Sequence, residues 1–218
     1  RFCQVTGVQT CALPISQNEY YLPDVLPWMS EQEHRVNVFL IPDNNDVKGI
    51  NDRVQLAEVT QIMQLRINNR LMRSGVTIIN PLTTYIEDDV TIGADTVIYP
   101  NTIIAAGTVV GEECSIGPDS VVLASKIGNR VLIEQSRIDT AVIEDDCHIG
   151  PFAYLRPETH LASGVKVGDF VEIKKSFLGS GTKAAHLIYI GDATIGQQVN
   201  IGAGTITCNY NEIGRAHV

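Results

Sequence analysis

The stretch IEDDVTIGADTVIYPNTIIAAGTVVGEECSIGPDSVV, residues 86–122, decides the fold. Within it Ile86, Ile92, Ile98, Ile104, Val110, Ile116 and Val122 return at every sixth position. The series steps by five to Ile127, by six to Ile133 and by five to Ile138 and Ile143. It regains six at Ile149, Leu155, Leu161, Val167 and Ile173, then steps by five to Leu178. After an interruption, Ile190, Ile195 and Ile201 continue it. A period of six is neither the 3.6 of a helix nor the alternation of an ordinary strand. It marks a solenoid in which each hexad adds one short side to a coil. The apolar residue points inward and stacks on its equivalents about 4.8 Å above and below, the spacing of hydrogen-bonded strands. Three sides make a coil of about eighteen residues, and the stretch supplies about six or seven coils. Gly or Ala often follows the inward residue, as at Gly93, Gly117, Gly150, Gly196 and Gly202, and is read as the residue that lets the backbone turn the corner. The expected fold class is mainly β, a parallel β-helix of hexapeptide repeats over residues 80–211.

Working outward, the two ends have another texture. VQTCALPI at 8–15 is one translation frame of GTTCAGACGTGTGCTCTTCCGATCT, a widely used sequencing adapter, and EIGRAHV at 212–218 is a frame of its complement. Residues 1–16 and 212–218 are therefore read as adapter-derived and left out of the fold. From Glu19 to Met29 the pattern is that of a short amphipathic helix broken by Pro23 and Pro27, and residues 36–41, VNVFLI, have the β-branched and aromatic content of a strand. Asp52 to Arg73 carries apolar residues at near-helical spacing for over five turns, and Ser74-Gly75 ends it. A strand and one long helix cannot bury their own faces, so residues 17–53 are expected to be the tail of a larger α/β domain, with 54–79 as a linker helix and connection.

The chain has 218 residues, a net charge of −9 and 44% apolar residues. That suits a soluble core and argues against non-specific nucleic-acid binding. No window approaches ~20 uninterrupted apolar residues, so no membrane span is expected, and no secretory signal is read. Cys114, Cys147 and Cys208 lack metal-ligand or disulfide spacing, which suits a reducing cytoplasm.

The strongest candidate chemistry lies where the hexads are interrupted. Between Leu178 and Ile190 the residues read as a loop inserted on one face, and His186 within it is a candidate general base because imidazole titrates near neutral pH. Taken alone it reads first as a histidine merely satisfied in a loop. Arg156 and Lys174, in the L-R-P and V-E-I-K-K runs about one coil apart, offer a fork and a point charge for a phosphate, or simply a solvated surface. Gly179-Ser180-Gly181-Thr182-Lys183 lacks the spacing of a phosphate-binding loop. His148 and His160 are read as surface residues, not zinc ligands.

The runs L-R-P (155–157), V-E-I-K-K (171–175), H-L-I-Y-I-G-D (186–192) and V-N-I-G-A-G-T-I-T-C-N-Y (199–210) closely resemble the acetyltransferase half of the bacterial bifunctional N-acetylglucosamine-1-phosphate uridyltransferase/glucosamine-1-phosphate N-acetyltransferase family, over essentially residues 17–211. The resemblance implies a left-handed β-helix, preceded by the end of an α/β nucleotidyltransferase domain. It implies acetyl transfer from acetyl-CoA to the amine of glucosamine 1-phosphate. In the parent enzyme, uridylyl transfer from UTP then gives UDP-N-acetylglucosamine. His186 would be the base, Arg156 and Lys174 would bind the sugar phosphate, and Tyr189 and Asn200 the sugar. Ala203, Asn209 and Tyr210 would line the acetyl-CoA side. Asn51 would be a ligand of Mg2+ in the uridyltransferase half, with its carboxylate partner elsewhere. A cytoplasmic homotrimer is implied as well, and the chain reads as a fragment incomplete for both activities. The rival readings are another hexapeptide acyltransferase, a sugar-nucleotide pyrophosphorylase with a purely structural β-helix, or a non-catalytic scaffold. The His186, Arg156 and Lys174 set separates them.

Overall fold

The computed structural model describes residues 25–35, 37 and 40–209, and the chain divides into two compact units, 1–48 and 49–218. In the first unit, helix α1 (Val25–Glu31) buries none of its residues, and Trp28 lies 6.4 Å from the His34 ring. A single 3-10 turn, Asn44–Val47, is capped by Asp43, whose carboxylate accepts from the Asn45 N–H at 2.9 Å. Pro27 falls in the first turn of α1, where its missing N–H is tolerated. Residues 19–24 of the expected helix lie outside the described residues. Of the expected strand at 36–41, Asn37, Leu40 and Ile41 belong to no strand, while Val36, Val38 and Phe39 lie outside the described residues.

The second unit opens with helix α2 (Arg53–Arg73). Asp52 caps its first turn by accepting from the Gln55 N–H at 2.8 Å, and Ser74 closes its last turn. Its final turns bury Ile67, Asn68 and Leu71. Asn68 is fully buried and donates to the carbonyls of Pro81 (2.9 Å) and Thr84 (3.2 Å), while Gln64 donates to the Ile86 carbonyl at 3.2 Å. The end of α2 thereby satisfies backbone acceptors at the start of the solenoid that would otherwise be orphaned.

Beyond it the chain winds as a parallel β-helix of about seven coils, most sides a strand of two or three residues. Three columns of inward aliphatics run up the prism. Ile98, Ile116, Ile133, Ile149, Val167 and Ala184 form one; Ile86, Ile104, Val122, Ile138, Leu155, Ile173 and Ile190 the second; Ile92, Val110, Ile127, Ile143, Leu161, Leu178 and Ile195 the third. Ile98, Ile104, Ile116, Ile133, Ile138, Ile149, Leu155, Leu161, Ile173 and Leu178 are all at 0% exposure, so the hexad reading holds. Five-residue steps are absorbed at corners, and every column stays in register.

Two expectations are corrected here. The residues between Leu178 and Ile190 do not form a loop: Ala184 fills the inward position, six from each, and Lys183–Gly191 is one continuous strand beside Lys166–Lys174. The interruption is only a small side chain in an aliphatic column. The Gly after the inward residue is also not, in general, where the backbone turns. The left-handed conformation falls three residues before the next inward residue, commonly on Asp, Asn or another non-glycine, as at Asp95, Asn101 and Asp192. Gly93, Gly111, Gly128 and Gly179 are required for another reason, because a Cβ there would come within 2.4–2.7 Å of the coil above.

A second inward column was not read from the sequence. Two residues before most inward residues sits a small one, such as Thr96, Ser125, Ser136, Cys147, Thr159 or Thr182. Its hydroxyl bridges coils: Thr182 Oγ1 donates to Gly196 O at 2.8 Å and accepts from Val199 N at 3.2 Å. Cys114 and Cys147 occupy such positions, and burial pushes the Cys147 thiol up to about 11, so it is inert rather than nucleophilic.

Candidate functional site

The two nine-residue strands, Lys166–Lys174 and Lys183–Gly191, carry most of the candidate residues. They run parallel around the corner between two faces. Their register pairs Lys166 with Lys183, Asp169 with His186, Glu172 with Tyr189 and Lys174 with Gly191. Gly168 allows this close approach, since a Cβ there would lie 2.0 Å from the Ala185 carbonyl oxygen.

His186 stands on the corner, 62% exposed, with Nδ1 3.6 Å from Oδ1 of Asp169 on the rung below. On the rung above, the pairing of Ala184 with Ile201 and the bond from Gly204 N to Leu187 O (3.0 Å) bring Ala203 into register with His186. Asp169, His186 and Ala203 therefore form one vertical line. A neutral imidazole with Nδ1–H toward Asp169 leaves Nε2 free to accept a proton.

Further along the same strands lies a second cluster. Continuing the pairing of Leu155 with Ile173 puts Arg156 directly below Lys174. Arg156 Nη1 is 2.8 Å from Glu172 Oε1, and that carboxylate raises the guanidinium pKa further. Lys174 Nζ is 3.7 Å from Asp192 Oδ2, with Lys175 Nζ 3.9 Å from the other oxygen. The Asn209 amide donates to Asp192 and, at 3.4 Å, reaches the Tyr189 hydroxyl. That amide first, then the two lysines, holds the Asp192 carboxyl below the usual carboxylate range. Both candidate phosphate-binding cations thus already face carboxylates, and an incoming phosphate would compete with Glu172 and Asp192 for them.

Arg156, Lys174, Tyr189 and Asn209 come together, and His186 pairs with Asp169 instead. Lys174 and Gly191 lie five strand positions beyond the corner, about 16 Å along the chain at the usual rise. Asn200 lies on the other flank of the corner, on the rung above Lys183. Tyr210 lies outside the described residues. Asn51 is exposed ahead of α2, and its neighbour Asp52 spends its carboxylate as the helix cap. Among the described residues no group of three or more His, Cys, Asp or Glu gathers as a metal site, so the residues described here do not by themselves build a site for Mg2+. His148 and His160 sit beside Glu134 (3.3 Å) and Glu144 (2.9 Å). Sequence reasoning passed over Asp169, Glu172 and Asp192; the signal for each was its place sixteen to eighteen residues from a candidate already chosen.

Stacked hexapeptide coils, with polar side chains gathered on one corner and the face beyond it, define a hexapeptide-repeat β-helix. The family profile described as "Bacterial transferase hexapeptide (six repeats)" matches residues 83–124 and 140–175. The chain is a relative of the proteins named Bifunctional protein GlmU. It is 55% identical over 196 residues to that of Syntrophomonas wolfei subsp. wolfei, covering 90% of this chain and 44% of that protein. It is 51% identical over 215 residues to that of Carboxydothermus hydrogenoformans, covering 96% of this chain and 48% of that protein. The chain thus spans less than half the length of these relatives. The solved LpxA of Acinetobacter baumannii is 19% identical, with a TM-score of 0.41 over 59% of this chain and 66% of that one. No helix among the described residues is long and apolar enough to cross a membrane.

Proposed function

We propose that this chain carries the acetyl-transfer site of a GlmU-type enzyme, moving an acetyl group from acetyl-CoA to the amine of glucosamine 1-phosphate. The observation that carries this reading is the line Asp169, His186, Ala203, which sets an imidazole with a carboxylate on one side against the residue that the family resemblance gives to the acetyl-CoA side. His186 Nε2 takes a proton from the attacking amine while Asp169 favours the tautomer that can do so. Amine nitrogen bonds to the acetyl carbon, the carbon–sulfur bond breaks, and the thiolate leaves; no covalent enzyme intermediate is needed. Arg156 and Lys174 receive the sugar phosphate, Tyr189 and Asn200 hold the sugar, and Asn209 and Tyr210 line the acetyl-CoA side. Backbone amides along a coil are the available donors for the developing oxyanion.

For the whole protein we further propose uridylyl transfer from UTP with Mg2+, to which Asn51 contributes one ligand and residues beyond this stretch the rest. The working form is a cytoplasmic homotrimer with the acetyl-transfer site between subunits. The test is His186→Ala in the complete protein, which should abolish acetylation while uridylyl transfer persists. Equal loss of both activities would assign His186 to folding instead.

A further inference from the structure

Asp192 turns a corner of the solenoid in the left-handed conformation, with φ at 50°, and its carboxylate gathers groups from two rungs. From the rung below come Lys174 Nζ, 3.7 Å from Oδ2, and Lys175 Nζ, 3.9 Å from Oδ1. The Asp192 N–H also donates to the Lys174 carbonyl at 3.1 Å, which fixes the two residues to each other. On the rung above, continuing the pairing of Tyr189 with Ile206 brings Asn209 into register with Asp192, and the Asn209 amide donates to Oδ2. Lys174 and Asn209 therefore share one oxygen. The two carry different duties in the proposed acetyl transfer, Lys174 receiving the sugar phosphate and Asn209 lining the acetyl-CoA side. A cation on a carboxylate oxygen draws off charge that an amide hydrogen bond to the same oxygen would otherwise use. A phosphate arriving at Lys174 would pull that cation away, leaving Oδ2 to hold the Asn209 amide more firmly. A side chain ordered in advance then relieves the acyl donor of the entropy of ordering it.

We infer that Asp192 is a positioning residue that couples the two substrates, so that sugar phosphate at Lys174 tightens the hold on the acyl donor through Asn209. The inference rests on the proposed acetyl transfer, and it adds a direction of cooperativity to it. Because coupling between two bound ligands is reciprocal, the acyl donor tightens the sugar phosphate by the same factor.

Isothermal titration of the complete protein with coenzyme A, alone and with saturating glucosamine 1-phosphate, tests it, since neither ligand carries an acetyl group and no turnover intervenes. The parent should bind coenzyme A about fivefold tighter, or more, when the sugar phosphate is present, the lower end of ordinary coupling. Asp192→Asn keeps a residue type that tolerates the left-handed conformation but removes the charge, and should bring that factor below about twofold. Asn209→Ala cuts the bridge at its other end and should do the same. The factor is a ratio of two affinities within one variant, so a general loss of stability or of coenzyme A affinity cancels from it. Either variant keeping the parent's factor, or a parent factor near one, would overturn the inference alone. A complete protein that binds no coenzyme A would overturn it together with the proposed acetyl transfer, so the two failures are distinguishable.

Discussion

At the residue scale the site turns on one exposed imidazole and the carboxylate one rung below it. His186→Ala should lower kcat for acetylation by about 10²–10⁴, the usual contribution of a positioned base. Asp169 acts through His186 as a positioning residue. Asp169→Asn should therefore give a smaller loss in kcat and leave KM for the sugar phosphate little changed; a raised KM with kcat unchanged would count against the pairing. Glu144 offers a test by titration away from the site. The His160 imidazole first, then the Ser163 hydroxyl, holds its carboxyl below the ordinary 4.5. A depressed carboxylate adds stability above its unfolded pKa and loses it as pH falls through the folded value. Glu144→Gln should then lower the melting temperature at pH 7, and the difference should shrink as the pH falls below the ordinary carboxylate value. His186, Arg156 and Lys174 could be picked out by chemical type alone, whereas Asp169 and Asp192 were invisible until coil lengths of sixteen to eighteen were known, because a carboxylate on an exposed strand looks like any solvated charge.

Elements explain which parts of the fold were readable. The large inward columns share one chemical character, aliphatic bulk, at a fixed interval, so they stand out from the string. The small inward column two residues earlier mixes Ser, Thr, Cys, Ala and Val, which share size but not hydropathy, and no periodicity of polarity reveals it. Ala184 hid for a similar reason, and its small side chain made a continuous strand read as an inserted loop. The partnership of the two long strands depends on Gly168, whose backbone is in an ordinary conformation but has no room for a side chain. Gly168→Ala should force these strands apart, lowering both the melting temperature and acetylation; full activity in that variant would sink the account of the corner. At the other end, Asn68→Ala would leave the Pro81 and Thr84 carbonyls without a donor, a loss of about 1–3 kcal/mol for buried groups. Faster amide exchange in α2 and the first coil is the expected signature.

For the whole molecule, stability is a sum of contacts between neighbouring coils. Ile133→Ala, in the middle of a column at 0% exposure, should cost about 2–5 kcal/mol. Ile195→Ala, near the last described coil and only partly buried, should cost clearly less, which denaturant titration of both variants would show. The five-residue steps, four of the five on the same edge of the prism, carry a further consequence: the chain can drop a residue there and keep its place. Single deletions should be tolerated on that edge and ruinous in the middle of a side, because a vertex swallows the missing length whereas a flat wall passes the slip to everything stacked on it. Such a scaffold lets lineages gain or shed amino acids at its vertices while whatever catalytic groups it displays stay aligned, storey upon storey.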